Sequence, residues 1–165
     1  MPRLFVAVWP PEHVLDAIDR LPRLDESGVR WTDRRHWHIT LRFFGEAETV
    51  DAIAALSIVE GAPAEVVLGP QVTNLGRNVV CIPGAGLDAL AIAVRDVTAH
   101  VGEPPDPRPF SGHITLARLN HRASCNLAGT DFDARFDVDE VHLVESTLGP
   151  GGPAYETVFL KPLSG

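Results

Sequence analysis

The sequence predicts an α+β protein built of short strands and amphipathic helices joined by tight turns. Three observations point there. Apolar spacing switches repeatedly between a strand period and a helix period along the chain. Apolar residues make up 45% of it and charged residues 22%, the balance of a chain that folds on its own. The fourteen glycines and fourteen prolines are scattered, which suits turns between many short elements and not a disordered tract. At 165 residues there is room for one domain, 1–165, or for two small lobes sharing one core.

The elements follow in order. Residues 3–9 (RLFVAVW) read as a buried strand ended by Pro10. Residues 11–22 carry Val14, Leu15, Ile18 and Leu21 at helical spacing, with Pro11 at the start. A strand from about Trp37 to Phe43 stops at Gly45. A helix over 48–59 follows an acidic first turn and ends at Gly61-Ala62-Pro63. Residues 64–73 and 78–82 read as a hairpin across Gly76. A third helix covers 87–100, a proline-rich loop 104–109, and a strand His113–Leu119. Two last strands, 134–148 and 155–161, flank the turn Gly149-Pro150-Gly151-Gly152-Pro153.

Composition narrows the function classes. The formal net charge of −8 argues against a protein that wraps long nucleic acid, yet leaves room for one that grips a single phosphate with a few local donors. Positive charge is almost all arginine, with Lys161 the only lysine, and arginine suits bidentate phosphate recognition. The first residues lack the long apolar core of a secretory signal, and no stretch approaches the roughly 20 apolar residues that span a bilayer. Cys81 and Cys125 form neither a disulfide framework nor a zinc spacing. The expectation is a cytoplasmic protein with no membrane partner.

One feature stands above this background. His38-Ile39-Thr40-Leu41 recurs as His113-Ile114-Thr115-Leu116, each time in a predicted strand. From this composition a chance repeat comes at roughly one or two in a thousand. Because alternate side chains of a strand share a face, His38 with Thr40, and His113 with Thr115, point one way while Ile and Leu point to a core. Two such faces opposed would surround one point with two imidazoles and two hydroxyls.

That set suits phosphodiester hydrolysis. Opening a cyclic phosphate needs a base for the attacking water and an acid for the departing ribose oxygen, and histidine plays either part near neutral pH. Threonine hydroxyls can donate to the non-bridging oxygens, where charge grows. No cofactor or metal is needed. A zinc site is the nearest rival, since His121 and His142 could in principle be recruited, but no His-Glu-x-x-His spacing supplies three ligands.

With these motifs the chain resembles, from end to end, the RNA 2′,3′-cyclic phosphodiesterase family, also called the 2′-5′ RNA ligase family, of the 2H phosphoesterases. The resemblance lies in Arg3–Val8, in Trp31, in His38–Gly45 (HITLRFFG) and in Arg108-Pro109-Phe110 followed by His113–Arg118 (HITLAR). It continues through Val141–Ser146 (VHLVES) and Tyr155. It implies a bilobal fold in which two pseudo-symmetric lobes of antiparallel sheet, with helices packed outside, each give one motif to a central cleft. It implies hydrolysis of RNA or nucleoside 2′,3′-cyclic phosphate to a 2′-phosphate. His38 would be general acid to the 3′ oxygen and His113 general base on water, with Thr40, Thr115 and Arg118 binding substrate.

Two departures matter. Gly112 stands where the family often has proline, which should loosen the approach to His113. Strict alternation puts Arg118 opposite His113 and Thr115, so it reaches the cleft only through a bulge or the strand end, whereas Arg42 has the right parity. For stacking a base, Phe44, Phe110, Trp31 and Tyr155 are candidates, while Trp37 and Phe43 share parity with Ile39 and belong to the core. A reading from another class is an RNA-end or nucleotide-binding module that keeps the cleft without chemistry; the presence of both histidines argues against it. Ligation through a 2′-5′ bond shares the hydrolytic transition state, so low-level reversal in vitro is expected. A cleft formed within one chain makes a monomer sufficient.

Overall fold

The computed structural model describes residues 1–164. Its elements are β1 (Arg3–Val8), α1 (Glu12–Asp19), β2 (Val29–Trp31), β3 (Ile39–Glu46), α2 (Thr49–Ser57), β4 (Ala64–Leu68) and β5 (Thr73–Leu75). They continue with β6 (Val79–Ala85), α3 (Asp88–Thr98), β7 (His113–Leu119), β8 (Ala134–Val138), β9 (Glu140–Gly149) and β10 (Gly152–Pro162). A single 3₁₀ turn, Arg34–His36, leads into β3.

The strands lie in the order β10-β9-β1-β3-β7-β6-β4-β8, with β2 added to β7 and β5 to β6, and the pairings are antiparallel. In the middle of that order β3 and β7 are joined by one residue pair only, Ile39 with Ile114. The sheet therefore divides into two lobes of four main strands, each presenting one copy of the repeat at its inner edge. The helices cross over. α1 follows β1 of the first lobe yet packs against β8 of the second, and α3 sits between β6 and β7 in sequence yet packs against β3, beside α2. This is the bilobal α+β architecture that the resemblance implies.

Local sequence explains the elements. α1 starts directly after Pro11, whose φ of −75° suits a helix entrance, and buries Val14 and Ile18 one turn apart. α3 buries Leu90, Ala91, Val94 and Thr98, again one stripe. β1 is apolar on both faces because both are covered. Leu4, Val6 and Val8 join the main core, while Phe5 and Ala7 form a smaller cluster with Val144, flanked by Trp9 and Tyr155.

Two expected strands split. The run 64–73 ends at Leu68, because Gly69 adopts φ 111° and Pro70 cannot donate to a ladder; β5 and β6 then make the hairpin across Gly76. A Cβ at Gly69 would lie 2.0 Å from the Phe132 carbonyl, so the break is built into the packing. The run 134–148 divides at Asp139 into β8 and β9. β2 was not foreseen: three residues, Val-Arg-Trp, are too short for a periodic signal. No described helix is long and apolar enough to cross a membrane.

Candidate active site

The Ile39–Ile114 pair fixes the centre of the site. Both isoleucines are fully buried, so their flanking residues turn to the opposite face, where His38 and Thr40 stand beside His113 and Thr115. All four line one cleft of about 790 Å³, within the range of roughly 300–1,000 Å³ typical of ligand sites. The two copies of the repeat do meet across the lobe boundary.

Each imidazole is held in the same way. Nδ1 of His38 donates to the His36 carbonyl at 2.6 Å, and Nδ1 of His113 donates to the Ser111 carbonyl at 2.8 Å. A carbonyl can only accept, so the proton on Nδ1 is fixed and Nε2 becomes the nitrogen that exchanges protons. Nε2 of His38 lies 3.0 Å from the Thr40 hydroxyl. Rings pack around His38, with centroids at 5.1 Å for Phe5, 5.2 Å for Trp9 and 5.6 Å for Tyr155. This burial, with His36 and His113 nearby, pulls the His38 pKa below the ordinary histidine value, although the bond to the His36 carbonyl works the other way. Burial raises the Tyr155 phenol.

A bulge decides which residues follow the histidines into the cleft. On β7, Thr115 pairs with Cys81 and Ala117 with Val80, so Leu116 is an extra residue in the ladder. Leu116 and Ala117 are both buried, and Arg118 emerges on the cleft side with His113 and Thr115. β3 does the same one residue after its own threonine: Thr40 pairs with Ala7 and Arg42 with Val6, leaving Leu41 as the extra residue. The repeat thus extends beyond its four letters, and Phe43 occupies in the first copy the position that Arg118 occupies in the second.

Three expectations are corrected by this bulge. Arg42 does not face the cleft. It is 4% exposed, and its guanidinium donates to the carbonyls of Phe43, Thr98, Val101 and Glu103 and to the Thr98 hydroxyl, closing the C-terminal end of α3 onto β3. Phe43 is not in the core; it is 46% exposed, lines the cleft, and carries the Arg3 guanidinium 5.5 Å above its ring. Phe44 takes the core position instead and is fully buried. Trp37 is in the core as expected, and Trp31 and Tyr155 line the cleft. Phe110 packs against the core beside Gly112. Gly112 itself is not loose. Its carbonyl accepts from Gly84 N at 2.8 Å, and a Cβ there would sit 2.5 Å from the Gly84 carbonyl, so only glycine fits this close approach.

The cleft concentrates positive charge in an acidic chain. Among the described residues, Arg3, Arg30, Arg35 and Arg118 line it against a single side-chain carboxylate, Asp33. A larger hollow of about 900 Å³ lies elsewhere, but Glu46, Glu48, Asp51 and Glu103 line it and would repel a phosphate. Sequence reasoning missed Arg3, Arg30, Arg35, His36 and Phe43 as cleft residues. Only the tight spacing of Arg34-Arg35-His36 just before His38 could have signalled any of them. His121 and His142 do not line the cleft; His142 bonds to Glu140 and Thr157 on the outer strands. Among the described residues no three His, Cys, Asp or Glu side chains converge as a metal-holding group.

Residues 10–150 match the model of the 2'-5' RNA ligase superfamily. A relative from Methanocaldococcus jannaschii, named RNA 2',3'-cyclic phosphodiesterase, is 22% identical over 94% of this chain and 98% of its own length. Among solved structures, TT0787 of Thermus thermophilus is similar at 27% identity with a TM-score of 0.82, over 99% of this chain and 98% of that one. E. coli LigT, crystallised with 3'-AMP, is similar in fold at 24% identity with a TM-score of 0.83, over 99% of both chains.

Proposed function

We propose, because the chain belongs to the 2'-5' RNA ligase superfamily, that it is a hydrolase opening RNA or nucleoside 2′,3′-cyclic phosphates to 2′-phosphates, with His38 and His113 as its acid–base pair. The observation that carries this is the matched presentation of two Nε2 atoms and two threonine hydroxyls on one cleft face, each imidazole anchored through Nδ1. The name of the M. jannaschii relative supplies the substrate class.

In this mechanism Thr40 and Thr115 donate to the non-bridging oxygens of the cyclic phosphate. Nε2 of His113, which has no side-chain hydrogen bond among the described residues, takes a proton from water as its oxygen bonds to phosphorus. The bond from phosphorus to the 3′ oxygen breaks, and Nε2 of His38 gives that oxygen its proton. The product keeps its phosphate on the 2′ oxygen, and the two histidines exchange protonation states. Enclosure of His38 by Phe5, Trp9 and Tyr155 keeps water from this proton, which suits the acid. Arg118 adds positive charge at the rim. Phe43 under Arg3 offers a face on which the terminal base can stack.

A cyclic-phosphate-ended oligonucleotide in excess EDTA tests the reading. Opening should continue undiminished; complete loss on chelation would transfer the chemistry to a metal. A second expectation concerns protonation. In the free protein, burial holds His38 neutral at pH values where an ordinary histidine, near 6.5, still titrates. A bound phosphate anion favours the imidazolium and raises that pKa. NMR titration of the His38 ring should therefore give a midpoint below about 6.5, moving upward when a nucleoside 2′-phosphate is added. A free-protein midpoint above the ordinary value would contradict the enclosure described here.

A further inference from the structure

Among the described residues β2 borders β7 and no other strand, and its register places Arg30 directly opposite Arg118. Like charges directly opposite each other are destabilising, and an anion held between them would relieve that repulsion. The other cross-strand neighbour of Arg118 is Val79, not an acid. Among the described residues, neither guanidinium takes part in an ion pair, whereas Arg35, on the same cleft, is tied to Asp33. The reacting phosphate already has two hydroxyls and two imidazoles at the β3–β7 crossing, and a cyclic phosphodiester carries one negative charge. Two further opposed guanidiniums exceed what it needs.

We propose that Arg30 and Arg118 form a second anion subsite, which takes the phosphodiester on the 5′ side of the cyclic-phosphate nucleotide and makes an RNA chain a better ligand than a free nucleotide. The cyclic phosphate closes the 3′ end, so any further phosphate lies on the 5′ side. β2 meets β7 only beyond Thr115, on the side away from the crossing with β3, which separates the two anion positions. Arginine forks are suited to such backbone contacts. The proposal rests on the hydrolase reading for the identity of the chain, but its binding chemistry can be measured without turnover.

The test is calorimetric binding of two products, a nucleoside 2′-phosphate and a dinucleotide ending in a 2′-phosphate, to the wild type and to Arg30→Gln. Arg30 is exposed on a three-residue strand, so the variant should fold. The wild type should bind the dinucleotide about tenfold tighter, and Arg30→Gln should remove most of that advantage, as loss of one charge-assisted phosphate contact would. The logarithmic salt slope for the dinucleotide should fall by about 0.7, the single-strand value for one phosphate. Affinity for the nucleoside 2′-phosphate should hold. An equal loss for both ligands would put Arg30 on the terminal phosphate and overturn the proposal, as would no loss for either. Turnover of the cyclic-phosphate dinucleotide is followed alongside: no turnover with the predicted binding pattern refutes the hydrolase reading and leaves the subsite standing.

Discussion

His113→Ala and His38→Ala should each lower kcat on a 2′,3′-cyclic phosphate by about 10²–10⁴, the usual worth of one positioned proton transfer. The fold should survive, since both rings are only partly buried and each anchors to a backbone carbonyl through one nitrogen. The double variant should fall little below the worse single variant, because either loss stalls the same step. The two roles separate through the leaving group. A diester that expels p-nitrophenolate needs no proton from an acid, so His38→Ala should regain much of its rate on that substrate while His113→Ala stays slow. Equal rescue of both would erase the assigned order of acid and base, and wild-type kcat in either variant on the cyclic phosphate would remove that residue from the chemistry.

Arg42→Met carries the largest expected cost in stability. The side chain is buried, and its donors satisfy the carbonyls of Phe43, Thr98, Val101 and Glu103, three of which lie at or just past the end of α3. Helix C-terminal carbonyls have no partner within the helix, so this guanidinium does what a capping sequence would otherwise do. Its Cζ also lies 4.7 Å from the Phe44 ring centroid. Methionine fills the volume but removes the donor from the two buried acceptors, the Thr98 and Val101 carbonyls, at about 1–3 kcal/mol each before relaxation. A net loss of about 3–5 kcal/mol is expected, which lowers Tm by about 10 °C for a chain of this size. Arg42→Lys should recover only part, because one ammonium cannot span that fan of carbonyls. Urea denaturation measures the loss. The folded fraction should keep its affinity for a nucleoside 2′-phosphate; unchanged stability with lost affinity would place the guanidinium in the cleft after all.

The contrast between Arg42 and Arg118 shows how far the sequence could be read. Apolar period and turn residues marked α1, α2, α3, β1 and β7 closely, because those elements owe their form to one buried stripe or run. Alternation from Ile39 and Ile114 correctly turned His38, Thr40, His113 and Thr115 to one side. It failed two residues later on β3, where the extra Leu41 reverses parity and exchanges Arg42 and Phe44 for Phe43. Neither Leu41 nor Leu116 is a glycine or proline, so nothing local marked the bulges. They arise from how β3 lies on β1 and β7 on β6, which is long-range information. On β7, parity allows Arg118 into the cleft through a bulge, and the ladder contains one. The facing arginines were illegible for a similar reason: β2 has no period of its own and exists only as an addition to β7.

The paired histidines are expected to open a cyclic phosphate toward the 3′ oxygen without a metal. ³¹P NMR of a nucleoside 2′,3′-cyclic phosphate incubated with the wild-type protein in excess EDTA measures this most directly. The cyclic signal should be replaced by that of the 2′-phosphate alone, and the conversion should be slowed together by His38→Ala and His113→Ala. Accumulation of the 3′-phosphate, or of both isomers, would rule out this direction of opening.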